Sequence, residues 1–215
     1  HRLTNRVAIY KPITVRSVNG PAATTIKGAG PDGPAAVRCV YMTNGASLAG
    51  FRLTSGASLS TTEPGVYLMY GGGIWCQGRG AIVSNCIISQ NTASESAGGV
   101  FQGSLYNCQI DGNTAYNCGG ARQSALYDCA ILNNQGQDYG GGVRESELYN
   151  CRLYNNRAGY GGGAYNSFLY NCSAFDNYAS LSGGGAQGGT LVNSVVIRNT
   201  AGRSSGGVSE SSLRN

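Results

Sequence analysis

From about residue 72 onward the chain places apolar side chains in short alternating bursts. LYNCQI at 105–110 and LYNCRL at 148–153 alternate apolar and polar residues, with an Asn breaking the rhythm. Period two is the signature of a half-buried strand. The bursts are three to five residues long, and no segment carries an apolar stripe of helical spacing and length. The pattern predicts strands and turns, without helices.

The bursts recur. Cys86, Cys108, Cys129, Cys151 and Cys172 are 22, 21, 22 and 21 residues apart, and Ser194 follows after 22 more. Asn91, Asn113, Asn134, Asn156, Asn177 and Asn199 keep the same alternation, as do Leu105, Leu126, Leu148, Leu169, Leu191 and Leu213. A Gly-Gly pair precedes each unit, from Gly72-Gly73 to Gly206-Gly207, and the core of the unit reads L-x-N-C-x-I-x-x-N-x-A. Leucine-rich, ankyrin and tetratricopeptide repeats need longer helical or L-x-x-L-x-L patterns, which are missing. A unit of this size with several short strands is one coil of a parallel β-helix, stacked on the next at about 4.8 Å. We therefore expect an all-β, right-handed, single-stranded parallel β-helix with 21–22 residues per coil. It should have about nine coils over about 40 Å.

In that fold Leu, Cys and Ile/Leu/Val face inward and stack on themselves. The Ala column (Ala93, Ala115, Ala158, Ala179, Ala201) packs at an inner corner. The Asn residues are expected at turns in the left-handed conformation, with their amides hydrogen-bonded along the axis. The Gly pairs are expected to supply positive-φ corners with no side chain to meet the coil above. Residues 1–70 read as irregular opening coils of the same single domain, 1–215, with 71–215 regular. SLAGFRLTSG puts Leu48, Phe51 and Leu53 in the Leu, Cys and Ile columns, and an insertion around STTEPGVYLMY separates it from the regular part. A seventh unit stops at Asn215, one residue before its Cys position, and no signal segment opens the chain. Both features lead us to expect a piece of a longer protein, with signal and anchor elsewhere.

Composition then narrows the function classes. Gly contributes 35 of 215 residues, roughly twice the average share of ~7%. The periodic corners account for much of this excess. Charged residues are only 12%, and the net charge of +5 comes from scattered Arg residues without a basic run. Nucleic acid is thereby excluded as a partner. No stretch reaches the ~18 apolar residues of a membrane-spanning helix.

Chemistry is sparse. Five Cys lie on one line along the axis, without the C-x2-4-C spacing of a metal site. Ser194 in the same column suggests a row of small buried side chains, selected for size. Cys39, Cys76 and Cys118 lie off the row, and a disulfide among them is the alternative. Glycosidase chemistry needs two facing carboxyls, and a calcium-assisted lyase needs an acid cluster. The ten acids, Glu63 and Glu145 among them, mostly fall in different columns, and the only His is His1. No catalytic residue, metal or cofactor is expected.

The outward columns are the candidate contact surface. Tyr106, Tyr127, Tyr149 and Tyr170 hold one position in four successive coils. A second column runs Trp75, Phe101, Arg122, Arg144, Tyr165, Gln187, which invites cation–π contacts. A third, Leu132, Tyr154, Phe175 and Ile197, is an apolar stripe. The Tyr row and the aromatic–Arg column suit a glycan or a protein partner. They equally suit self-stacking that shields the sheet.

The pieces GGV…IDGN (Gly98 to Asn113), GGA…ILNN (Gly119 to Asn134), GGV…LYNN (Gly141 to Asn156) and GGA…VIRN (Gly184 to Asn199) resemble the GGA[IVL] … [FIL]-x-x-N repeats of polymorphic outer-membrane proteins and related bacterial β-helix surface proteins. Ala174 departs from the pattern at an apolar position. The resemblance implies a secreted or cell-surface passenger with a structural or adhesive role and no catalytic residues. The rival expectation is a fragment of a polysaccharide lyase or hydrolase whose catalytic residues lie in other coils. Unpaired terminal strands lead us to expect end-to-end self-association as well.

Overall fold

The computed structural model describes residues 4–60 and 66–215. The chain is an all-β parallel solenoid of about 22 residues per coil. Its described strands form sheets of sixteen, eight and six members. All named strand pairs are parallel, and one isolated antiparallel bridge joins Ala29 to Val37. The sixteen-stranded sheet has two arms. One follows the Gly-Gly pair, as in Val100–Phe101; the other carries the Leu-Tyr segment, as in Ser104–Tyr106. The arms fuse in the long strands Ala164–Tyr170 and Ala186–Val192. The eight-stranded sheet holds segments such as Gln109–Asp111, and the six-stranded sheet holds short strands such as Thr114–Ala115. Six turns carry every sheet. A short 3₁₀ turn, Val66–Met69, is the only helical piece among the described residues, and residues 61–65 of the insertion lie outside them.

Register follows the repeat residue for residue. Leu105 pairs with Leu126, Leu126 with Leu148, Leu148 with Leu169, and Leu191 with Leu213. A one-residue slip would turn every such column outward, so the buried face fixes the pairing. The first coils obey the same columns: Leu48 pairs with Val83 and Leu53 with Ile88, while the Phe51 N–H meets Cys86 Sγ at 3.5 Å. The main core is one continuous cluster of stacked columns of fully buried side chains, including Leu48, Ile74, Ile88, Leu105, Ile110, Leu126 and Leu153. The alternation of 21 and 22 residues is absorbed between the Ala column and the next Gly pair. There, 94–97 is four residues long and 116–118 is three.

Two corner expectations need correction. The ladder Asn residues do not have positive φ; their predecessors do, as in Gln90 (55°), Asn133 (55°) and Asn155 (55°). The paired glycines are not at positive φ either. The residue before each pair takes that conformation in most coils, as in Gly71, Ala97, Gly140 and Gly161. The pairs are glycine because of crowding. A Cβ on Gly98 would lie 2.2 Å from the Thr114 carbonyl oxygen, and one on Gly120 would lie 2.2 Å from that of Gly142. Coils stack there backbone on backbone.

Arg38 is buried in the second coil. Its Nε and Nη2 donate to the carbonyls of Gly71 and Tyr70 at 2.7 Å, and Nη1 donates to Asn5 Oδ1 at 3.1 Å. Burial pulls its guanidinium down to about 9, still charged at neutral pH. This clamp fastens the end of the insertion to the first arm.

Candidate functional site

The outward columns stay aligned because the inward side of three corners is hydrogen-bonded. A corner residue has positive φ, and the next residue turns its side chain inward. That side chain accepts the backbone N–H of the equivalent residue one coil earlier. Asn134 Oδ1 accepts from both the backbone N–H and Nδ2 of Asn113, each at 3.0 Å, and Asn134 Nδ2 donates to the Ile110 carbonyl at 2.9 Å. The pattern runs unbroken from Asn91 through Asn113, Asn134, Asn156 and Asn177 to Asn199. Each of these amides satisfies a buried backbone group, the condition for burying polar atoms at all.

The cysteine row works the same way. The N–H groups of Cys108, Cys129 and Cys151 each meet the next Sγ at 3.4 Å, and that of Cys172 meets Ser194 Oγ at 3.1 Å. The thiols of Cys86, Cys108, Cys129, Cys151 and Cys172 donate back to carbonyls. Size alone therefore does not explain this column. In the regular coils, after Phe51, it takes a small side chain carrying both a donor and an acceptor, which Cys and Ser share. All eight cysteines are free and buried, Cys39, Cys76 and Cys118 included. Burial pushes the Cys39 thiol up to about 11 and those of Cys76 and Cys118 to about 12. No group of three metal-ligating side chains exists among the described residues.

A third ladder escaped the sequence reading. The Ser124 N–H meets Ser146 Oγ, and the Ser146 N–H meets Ser167 Oγ, both at 3.2 Å. Its signal was weak because Gly103 and Gly189 interrupt the column.

The first three members of the Tyr row stack along the axis. Tyr106 and Tyr127 stack with centroids 4.8 Å apart and planes within 7°, and Tyr127 and Tyr149 at 5.0 Å and 7°. The last step loosens: Tyr149 and Tyr170 are 6.2 Å apart and tilted by 47°, because Phe168 also leans on Tyr149. Tyr106 is 40% and Tyr170 37% exposed, and the two middle rings are half-buried. Beside the row, Arg79 reaches from the third coil to Glu147 with Nη1–Oε1 at 2.6 Å.

The aromatic–Arg column is less open. Trp75 stacks on Tyr41 at 5.2 Å and 7°, and Phe101 is buried against Tyr70, 4.9 Å away. Arg122 and Arg144 both hold Glu145, at 3.1 and 3.0 Å, and their side chains are only 15% and 18% exposed. Arg122 lies over the Tyr70 ring, and Arg144 lies over those of Tyr139 and Tyr165. Burial pushes the Glu145 carboxyl up, but Arg122, Arg144 and the Gln123 amide outweigh it and leave it below the usual value. Much of this column's binding capacity is thus turned onto the protein itself. In the third column Tyr154 and Phe175 stack at 5.1 Å and 5°, Leu132 is buried, and Ile197 is exposed.

No protein-family model, curated protein or solved structure matches the chain. The solenoid architecture and the geometry of its columns carry the functional reading. The acids do not gather: Glu145, Glu147 and Asp176 are each held by Arg side chains, and Glu63 lies outside the described residues. No helix among the described residues is long and apolar enough to cross a membrane.

Proposed function

We propose that this chain is a structural and adhesive stretch of a secreted or cell-surface bacterial protein with repeats of the polymorphic outer-membrane type. In this reading it is non-catalytic and meets its partner through the Tyr row. The observation that carries it is the stack Tyr106–Tyr127–Tyr149, three nearly parallel phenols repeated at the coil spacing and partly open to solvent. Edges and hydroxyls of a ladder like this offer sugar rings or a partner's side chains a regular strip of apolar and hydrogen-bonding groups. The rigid stack costs little ordering entropy on binding. Glu145, Glu147 and Asp176, tied up in ion pairs, support a non-catalytic role.

The test is a glycan array and a surface-protein pull-down with the wild type and a Tyr127→Ser, Tyr149→Ser double variant. Retained binding by a folded double variant would remove the Tyr row from the proposal. Turnover of polygalacturonate or alginate by the wild-type chain would replace adhesion with catalysis.

A further inference from the structure

The six-stranded sheet carries a groove on its outer side, with a volume of about 500 Å³. Its walls are the two outward columns flanking the Ala column. Thr92, Thr114 and Gln135 form one, and the residues after each Ala, notably Tyr116 and Gln137, form the other. Ala93 and Ala115 turn inward between them, so the floor is mainly backbone. Successive rungs present hydroxyls and amides at about 4.8 Å.

One end is closed by a loop from the irregular first coils. The Ala29–Val37 bridge makes residues 30–36 a closed loop, and the Gly33 N–H donates to the Ser58 carbonyl at 3.1 Å. Ser58 lies one coil before the groove, since its own N–H donates to the Thr92 carbonyl. Beneath the loop Ala36, Ala57 and Leu59 form a separate buried cluster, which fixes its position. Asp32 is thereby held at the N-terminal end of the Thr-Thr-Gln column. No ion pair of Asp32 occurs among the described residues, and no Arg or Lys is among the residues that line the groove. Tyr116, 48% exposed, offers a ring beside the amides and hydroxyls.

From this arrangement we infer a second binding site, one that takes the end of a neutral oligosaccharide. A carboxylate accepts two hydroxyl hydrogen bonds, the Gln and Thr side chains donate and accept, and the Tyr ring supplies a stacking face. A groove of this size lies within the ordinary range for small ligands. The single unpaired carboxylate selects against uronates and other acidic sugars by like-charge repulsion. The site lies on a different sheet from the Tyr row and stands or falls separately from it.

The experiment is a titration of the folded chain with cellotetraose, maltotetraose and mannotetraose, followed by 15N chemical shifts, with tetragalacturonate as the acidic control. At least one neutral probe should shift amides of 92–94, 114–116 and 135–137, and tetragalacturonate should bind at least tenfold more weakly. Tyr116→Ala and Asp32→Asn should each weaken the neutral probe at least tenfold, while Tyr127→Ser leaves it unchanged. Asp32→Asn should also narrow the gap to tetragalacturonate, which a purely structural role for Asp32 would not do. Absence of shifts at these rungs with all three neutral probes at 10 mM would overturn the site, as would equal binding of the acidic control. Loss of binding in Tyr127→Ser with retention in Tyr116→Ala would move the ligand to the Tyr row.

Discussion

Replacing Asn134 by Ala should be among the most damaging polar-to-Ala changes in the chain. Asn134 makes four side-chain hydrogen bonds, all between 2.9 and 3.1 Å and all buried. Two of the partners keep other bonds: Asn113 Nδ2 still reaches the Ile88 carbonyl, and Asn156 Oδ1 still accepts the Asn134 N–H. The buried Asn113 backbone N–H loses its partner, and the Ile110 carbonyl loses one bond but stays in the strand ladder. At about 1–3 kcal/mol per orphaned buried group, the expected loss is about 2 kcal/mol. For a chain of this length that is about 4–8 °C in Tm. Thermal unfolding followed by circular dichroism reads it. The control is the neighbouring Asn133→Gly. Asn133 has φ 55° and only an exposed bond to Asp111, so the loss should stay within about 1 kcal/mol. A loss below about 1 kcal/mol for Asn134→Ala, or one equal to the control, would refute the claim that the amide ladder holds the coils together.

Other outcomes follow from the same geometry. Gly120→Ala should cost more than about 3 kcal/mol, since its Cβ would meet the Gly142 carbonyl oxygen at 2.2 Å, whereas Gly207→Ala has nothing within 4 Å and should stay within about 0.5 kcal/mol; denaturant midpoints compare them. Cys129→Ser should be mild because Ser194 already fills that column. Cys129→Val should cost about 1–3 kcal/mol more, by orphaning the Cys108 N–H. The thiols should resist an aromatic disulfide reagent at pH 8 until the chain opens, and rapid labelling of the native chain would contradict their burial. Glu145 titrates below its unfolded value of 4.5, so its stabilising contribution is present above that pH and is lost as pH falls through the folded value. Glu145→Gln should flatten the acid side of the stability profile, and an unchanged slope would speak against the Arg122–Glu145–Arg144 cluster.

The register was legible in the sequence because a solenoid repeats its environment. A position facing the core in one coil faces it in the next, so Leu105 to Leu213 and Cys86 to Cys172 appear as columns before any coordinates. What was illegible lies where repetition fails or where one signal has two causes. Gly-Gly marks a corner, but the spacing of glycines cannot separate positive φ from backbone crowding, and here crowding decides. The Asn column marks a corner too, yet the positive-φ residue precedes the recurring Asn. Cys and Ser share a column for their hydrogen-bonding atoms, which apolarity alone conceals. Arg38 and the loop that carries Asp32 are held by contacts with segments tens of residues away in the irregular coils, where no period points to them. The Tyr row was visible as a column, but the covering of Phe101 and Arg122 by Tyr70 was not.

The central claim is that inward polar ladders hold the coils in register and so present the outward columns as fixed arrays. Hydrogen exchange of the side-chain amides of Asn113, Asn134, Asn156 and Asn177 tests it most directly. Their NH2 protons should exchange as slowly as the backbone amides of Leu126 and Leu148, and far more slowly than those of exposed Asn133 and Asn150. Exchange of the ladder amides at the rate of Asn133 would contradict it.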